Sequence, residues 1–254
     1  MAIDLFSIGK FTVHGYGLMI GLGFLAAVLL GSYLAKSQGL SADHLTNIAM
    51  WVLVIGFLGG KLLFVIVSFK EFLASPLSVL GSSGFVVYGG IATGILSIYV
   101  YCKICKIEFV KYFDIIATCV PLNQAFGRIG CFLAGCCYGR ETDSIFGVVF
   151  PEGCLAPSGV KLLPTQLFMA TGDFVIFAIL MVYYKRKKTS GMSAVLYLFM
   201  YSIGRFIIEF LRNDVRGNVG ILSTSQFIAI FSGVAAVVMY IVFTKMHKES
   251  KDTI

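Results

Sequence analysis

Long apolar stretches, separated by short polar segments, follow one another along almost the whole chain. A helix needs about 20 predominantly apolar residues to cross a bilayer, and seven stretches meet this requirement. They lie near residues 15–35, 45–68, 84–102, 113–134, 165–184, 193–212 and 221–244. The pattern therefore predicts an all-α integral membrane protein with about seven transmembrane helices, in which residues 1–254 form a single polytopic membrane domain.

Composition agrees with this pattern. Of the 254 residues 58% are hydrophobic and only 13% are charged, whereas a soluble domain carries about 25% charged residues. The chain thus has too little polar surface for a soluble globule. Its formal net charge of +7 lies in short loops, where basic residues set orientation, so no nucleic-acid partner is expected.

The loops alternate in their content of lysine and arginine, and the basic side of a membrane protein is cytoplasmic. One set of loops holds eleven basic residues: Lys36, Lys103, Lys106, Lys111, Lys185, Arg186, Lys187, Lys188, Lys245, Lys248 and Lys251. The opposite set holds five: Lys10, Lys70, Arg140, Lys161 and Arg216. We therefore expect the N-terminus outside, the C-terminus in the cytoplasm and residues 140–163 as a larger extracytoplasmic loop or small cap.

The segment 123–139 places one arginine among apolar residues and glycines. The guanidinium of Arg128 does not lose its proton in a protein, so inside a membrane it must face a polar cavity or an anion. The neighbouring glycines, which allow close approach of backbone or ligand, are Gly127, Gly130, Gly135 and Gly139. A structural alternative stays open, in which Arg128 reaches the interface and the glycines only pack helices.

A second polar group lies in the sixth apolar stretch. Its members are spaced by four, four and three residues and so share one helical face: Tyr201, Arg205, Glu209 and Arg212. One carboxylate between two arginines leaves a positive surplus, to which Arg128 adds. The sequence therefore predicts a cationic cavity for an anion such as a lipid phosphate, unless the charges only tie helices together.

The seven cysteines are odd in number and lie mostly within or beside apolar stretches, so they do not indicate a secreted disulfide framework. Cys102 and Cys105 have the spacing of a metal or redox pair, but no second pair is near them in the sequence. We therefore expect no metal and no cofactor.

Together these motifs resemble the bacterial prolipoprotein diacylglyceryl transferases. The resemblance covers most of the chain in order. It rests on five motifs: His-x-Tyr-Gly-Leu-Met at 14–19, Tyr-Gly-Gly at 88–90, the Gly-Arg-x-Gly signature at 127–139, Pro-x-Gln-Leu at 164–167, and Tyr-x-x-x-Arg-Phe-x-x-Glu-Phe-x-Arg at 201–212.

The resemblance implies an enzyme of the bacterial plasma membrane, with its site toward the outer leaflet. Such an enzyme moves the diacylglyceryl group of phosphatidylglycerol onto a lipobox cysteine of a prolipoprotein and releases glycerol phosphate, so its partners are membrane lipids and lipobox segments. The implied catalytic residues are Arg128, Arg205, Tyr88, Glu209 and Tyr201. The implied substrate-binding residues are Tyr16, His14, Gly89, Gly90, Gly130, Gly139, Gln166 and Arg212.

Four residues depart from the family's usual pattern. Tyr88 stands where the family has a histidine that is often proposed as base, Cys131 and Cys136 replace Asn and Glu, and Met169 replaces Glu. Three hypotheses follow. In the first, lipid transfer persists with Tyr88 as phenolate or hydrogen-bond donor. In the second, Cys131, Cys136 and Cys137 have a role of their own, such as a thiol relay or a metal site, in thiol-based or other lipid chemistry, unless they only pack. In the third, the protein is a non-catalytic binder or transporter of anionic lipid.

Overall fold

A computed structural model describes residues 4–8, 11–186, 189–213 and 217–252. Its helices are α1 (Gly15–Ser37), α2 (Ala42–Val67), α3 (Phe69–Ala74), α4 (Pro76–Gly81), α5 (Val87–Ile104), α6 (Phe109–Ala134), α7 (Thr165–Arg186), α8 (Met192–Ile208) and α9 (Thr224–Asp252), with a 3₁₀ turn at Glu209–Leu211. Three antiparallel pairs of strands join them: β1 (Asp4–Ile8) with β2 (Phe11–His14), β3 (Val148–Val149) with β4 (Lys161–Leu162), and β5 (Asn218–Val219) with β6 (Leu222–Ser223).

Six helices among the described residues are long and apolar enough to cross a membrane: α1, α2, α5, α7, α8 with its 3₁₀ turn, and α9. Their surfaces expose large apolar side chains, for example Leu29, Phe57, Leu62 and Phe231, each more than half exposed. In water such a surface would be costly, and in a bilayer it is solvated by lipid tails. The prediction of an all-α, multi-pass membrane protein is therefore confirmed.

The fourth predicted span is also helical, since α6 covers it, but α6 carries Lys111, Asp114 and Arg128 and is not among those six helices. The count of seven spans and the orientation stay predictions. Lys10, Lys187, Lys188 and Arg216, which entered the prediction of orientation, lie outside the described residues.

The chain divides into two compact units, residues 31–113 and residues 1–30 with 114–254. In the first unit α2 and α5 pack through glycines. A Cβ on Gly90 would lie 2.9 Å from the carbonyl oxygen of Gly56, and one on Gly89 would lie 2.5 Å from that of Gly59. Only glycine allows this approach, so helix packing alone explains the glycines that the resemblance assigns to substrate binding.

In the second unit a buried carboxylate of α6 stabilises the start of α8. Oδ1 of Asp114, a fully buried residue, accepts a hydrogen bond from the amide of Ala194 at 3.0 Å. Ala194 is the third residue of α8, whose first amides have no partner within the helix. Asp114 thus does from a distance what a capping residue does locally, and it fixes α8 against α6.

The loop 140–163 is an ordered layer with its own small core. Phe150, Ala156 and Leu162 are buried together, and Phe132 at the end of α6 packs against them. The amide of Arg140 donates to the carbonyl of Leu211 at 2.9 Å. The loop therefore joins the end of α6, the start of α7 and the end of α8, which is where most of the predicted site residues lie.

Candidate active site

Arg205 is held by two partners in a nearly buried setting. Its Nη1 lies 2.9 Å from Oε2 of Glu209, and its Nη2 donates to the Ser225 hydroxyl at 2.6 Å. The side chains of Arg205 and Glu209 are only 10% and 6% exposed. We call Arg205, Glu209 and Ser225 the arginine site. Two of its three residues were predicted, and Ser225, at the start of α9, was not.

A cavity of about 100 Å³ opens beside the arginine site. It is lined by Phe168, Met169, Gly172, Asp173, Ile176, Tyr201, Gly204, Arg205 and Ile208. The polar groups of this lining are the guanidinium of Arg205, the phenol of Tyr201 and the carboxylate of Asp173. A cavity with one cation, one acid and one phenol in an apolar wall can bind a polar head group and move a proton.

Asp173 was missed by sequence reasoning, although the signal was present. It is the single acidic residue of the apolar stretch 165–184, and the rule that drew attention to Arg128 applies to it equally. Asp173 is 6% exposed, and its carboxylate acts electrostatically on Arg128. Arg128 also interacts electrostatically with Tyr201, a residue of the cavity wall. Helix α6 therefore adds a positive charge near the cavity.

The chain reverses sharply after α6. Gly135 and Cys137 have positive φ angles of 69° and 62°, and the amide of Cys136 donates to the carbonyl of Cys131 at 3.1 Å. A Cβ on Gly135 would lie 2.6 Å from the Cβ of Cys154, so this position requires glycine. The turn brings the sulfur atoms of Cys131, Cys136 and Cys137 within 4.8 Å of one another, and we call these three residues the thiol cluster.

The first turn of α7 fixes this reversal from outside. Nε2 of Gln166 donates to the carbonyl of Cys136 at 2.6 Å, and the Thr165 hydroxyl donates to that of Cys137 at 2.8 Å. Both donors are fully buried. Gln166, predicted to bind substrate, therefore holds the turn, while its Oε1 has no hydrogen-bond partner among the described residues. Its contact with substrate stays a prediction.

Cys137 lies outside the helices and beside positive charge. The neighbouring thiols of Cys131 and Cys136 and the charges of Arg212 and Arg128 all act in the same direction on its sulfur. The pKa of the Cys137 thiol is therefore lowered from its ordinary value. Hydrogen bonds and cations both favour the thiolate, which is the reactive and metal-binding form.

The predicted glycines and Tyr16 take positions around this region. A Cβ on Gly130 would lie 3.2 Å from Cδ2 of Tyr16, and one on Gly139 would lie 2.7 Å from the carbonyl oxygen of Leu211. Gly130 thus lets α1 approach α6, and Gly139 lets the loop approach the end of α8. Tyr16 in the first turn of α1 and His14 at the end of β2 are exposed, and a role in substrate binding stays a prediction for all four.

Tyr88, Gly89 and Gly90 belong to the unit of residues 31–113, in the first turn of α5. The Tyr88 side chain is 44% exposed. The part of Tyr88 in catalysis stays a prediction.

The chain is similar to known proteins over almost its whole length. Residues 4–242 match the family model of the prolipoprotein diacylglyceryl transferases. The chain belongs to this family. It is 44% identical over 238 residues to a phosphatidylglycerol–prolipoprotein diacylglyceryl transferase of Clostridium tetani (strain Massachusetts / E88), an alignment that covers 93% of this chain and 95% of that protein.

Two further relatives also align with almost the whole chain. The second phosphatidylglycerol–prolipoprotein diacylglyceryl transferase of Clostridium perfringens (strain 13 / Type A) is 42% identical over 242 residues, 94% of each chain. That of Clostridioides difficile (strain 630) is 31% identical over 247 residues, 94% of this chain and 96% of its own.

In this diacylglyceryl transferase family member, three of the four unusual residues lie in one region. Cys131 and Cys136 belong to the thiol cluster, and the sulfur of Met169 lies 3.6 Å from Nη1 of Arg212. Arg212 itself pairs through its backbone with Gly139. The region where the resemblance implies polar and acidic groups is thus rich in sulfur here.

Proposed function

We propose that this protein transfers the diacylglyceryl group of phosphatidylglycerol to the thiol of a lipobox cysteine in a prolipoprotein, in the plasma membrane and with its site toward the outer leaflet. The names of its relatives in Clostridium tetani and Clostridium perfringens support this reaction. The single observation that carries it is the arginine site, a nearly buried guanidinium held by Glu209 and Ser225 at the edge of a cavity.

The arginines supply what the leaving group needs. A carbon–sulfur bond forms at the glyceryl carbon while the bond from that carbon to the phosphate oxygen breaks, and glycerol phosphate leaves with the electron pair. Negative charge therefore grows on the phosphate in the transition state. Arg205 and Arg128 stabilise this charge, and because Glu209 and Ser225 already orient Arg205, little reorganisation accompanies the reaction.

The incoming thiol must lose its proton, since the thiolate is the nucleophile. We assign this proton to Asp173, the carboxylate that lines the cavity together with Arg205 and Tyr201. A free phenol has a pKa of about 10, which is too high for general-base work at neutral pH, so we do not assign the base to Tyr88.

The test is a mass-shift assay. Purified protein in micelles that contain phosphatidylglycerol is mixed with a lipobox peptide, and the peptide cysteine is expected to gain one diacylglyceryl group. Arg205→Ala is expected to abolish the adduct, whereas Arg140→Ala, which alters an exposed side chain of the loop, is expected to keep it. Absence of the adduct while the Clostridium tetani relative is active in parallel would overturn the proposal.

Thiol-based chemistry on the same scaffold is the second candidate, because the thiol cluster lies beside Arg128. Cys136→Ser in the same assay separates the two. Lipid transfer that continues at any rate without Cys136 shows that its thiol takes no covalent part, whereas transfer that stops completely in a folded Cys136→Ser protein favours the thiol-based candidate.

A further inference from the structure

The thiol cluster has the dimensions of a metal site. Its three sulfur atoms lie within 4.8 Å of one another, and sulfurs that share one tetrahedral zinc ion at about 2.3 Å lie about 3.8 Å apart. Rotation of the cysteine side chains that moves the sulfur atoms by up to about one ångström closes this difference. Among the described residues, this is the only group of three or more cysteine, histidine or acidic side chains that lies so close together.

The backbone holds the three cysteines together without any help from a metal. Cys137 adopts a left-handed conformation, which is strained for a residue with a side chain and is kept only where the surroundings enforce it. Here Thr165 and Gln166, both fully buried, bind the carbonyls of Cys137 and Cys136. A binding site that is fixed by outer hydrogen bonds loses little entropy when the ion enters.

The charges around the cluster suit a thiolate-bound dication. Three thiolates and one Zn²⁺ carry a net charge of −1, which would be costly to bury alone. Arg128 and Arg212 both act electrostatically on Cys137, and one arginine is enough to balance that charge.

We propose that Cys131, Cys136 and Cys137 bind one Zn²⁺ through three thiolates and leave the fourth tetrahedral position open to an outside ligand. Each thiol that binds releases its proton to water. Zinc sites with three protein ligands and an open position take part in chemistry, whereas closed four-ligand sites serve folding. The proposal goes beyond lipid transfer, and it replaces the expectation from sequence that no metal binds.

In the proposed reaction the outside ligand is the thiol of the lipobox cysteine, a consequence that rests on the proposed function. Coordination to zinc deprotonates a thiol at neutral pH, and the proton passes to water. The sulfur bound in this way keeps an electron pair for attack on the glyceryl carbon. Zinc would then supply part of the activation for which the family's usual histidine is absent.

The first experiment measures metal content. Full-length protein, purified under reducing conditions in detergent, is loaded with zinc, dialysed and analysed by elemental mass spectrometry. We expect about one zinc per chain, and less than about a tenth of that in each of Cys131→Ser, Cys136→Ser and Cys137→Ser, because every ligand lost weakens a thiolate site strongly. Cys105→Ser, which alters a cysteine of another unit, is the matched control and is expected to keep the zinc.

A second measurement does not depend on how well the variants fold. Cobalt(II) replaces zinc in wild-type protein, and its absorption reports on both ligands and geometry. We expect a sulfur-to-cobalt charge-transfer band together with the intense visible bands of a tetrahedral site. Wild-type protein that retains no zinc, equal zinc in wild type and Cys136→Ser, or a cobalt spectrum without the sulfur band would overturn the proposal.

The open position is tested with peptide. A lipobox peptide is expected to change the cobalt spectrum, and the same peptide with serine in place of its cysteine is expected to leave it unchanged. If the cysteine peptide is lipidated but the spectrum does not change, the open-position part of the inference is wrong. If the peptide is never lipidated although zinc binds, the proposed function fails and the metal site stands.

Discussion

The arginine site and the thiol cluster belong to the same unit but are built in different ways. Arg205 and Glu209 meet because they are four residues apart at the end of one helix, a distance that helical geometry sets by itself. The cysteines meet because the chain reverses after α6 and because α7 fixes the reversed backbone. The first site thus depends mainly on local sequence and the second on contacts between segments.

This difference predicts how each site fails. Substitution at the arginine site is expected to change chemistry while the fold survives, because helix α8 forms without the charged side chains. Substitution at the reversed turn is expected to change the position of the cysteines first.

Removal of either arginine has the largest expected effect. Arg205→Ala and Arg128→Ala should each lower the rate of diacylglyceryl transfer by about a hundredfold or more, since a preorganised donor to developing charge is worth about that much. The rate is measured by the mass-shift assay. Unchanged circular dichroism shows that the variant is folded, and wild-type turnover in either variant would contradict the role of the arginines.

Asp173→Asn is expected to have the next largest effect on the rate of transfer. The asparagine keeps the shape of the side chain but accepts no proton, so transfer should fall by about a hundredfold, the lower range for loss of a general base. The rate should recover in part at high pH, where the peptide thiol ionises unaided. An equal reduction at every pH would instead assign Asp173 the structural role of a partner for Arg128.

Glu209→Gln should have a smaller effect. The glutamine can still accept a hydrogen bond from Arg205, but without charge, so the guanidinium is less firmly oriented. We expect the maximal rate of diacylglyceryl transfer to fall by about tenfold. A loss of this size is consistent with the modest free energy lost when one charged hydrogen bond becomes neutral. A change confined to the affinity for phosphatidylglycerol would show that Glu209 shapes the binding site only.

Gly135→Ala tests the turn after α6 that holds the thiol cluster. The new Cβ would meet the Cβ of Cys154 at 2.6 Å in a backbone with positive φ, so unfolding free energy should fall by about 1–3 kcal/mol. Thermal unfolding in detergent measures this change. Gly21→Ala in α1, where no atom lies within 4 Å of the added Cβ, is the control, and equal melting temperatures for the two variants would contradict the account of the turn.

Much of the fold was predictable because hydrophobic periodicity is local. The apolar stretch 193–212 agrees with α8 and its 3₁₀ turn, and the stretch 113–134 agrees with most of α6. The ends of helices were less predictable, since they depend on partners elsewhere in the chain. The start of α8 is an example, because its third amide is held by Asp114, 80 residues away.

The sequence by itself determined the membrane class, the helices, the family motifs and the pairing of Arg205 with Glu209. These features follow from composition and from spacings of a few residues, which helical geometry converts directly into positions. Tertiary structure decided the rest. Asp173 reached the cavity through the packing of α7 on α8, and the three thiols came together only because Gly135 and Cys137 turn the chain and α7 holds it there.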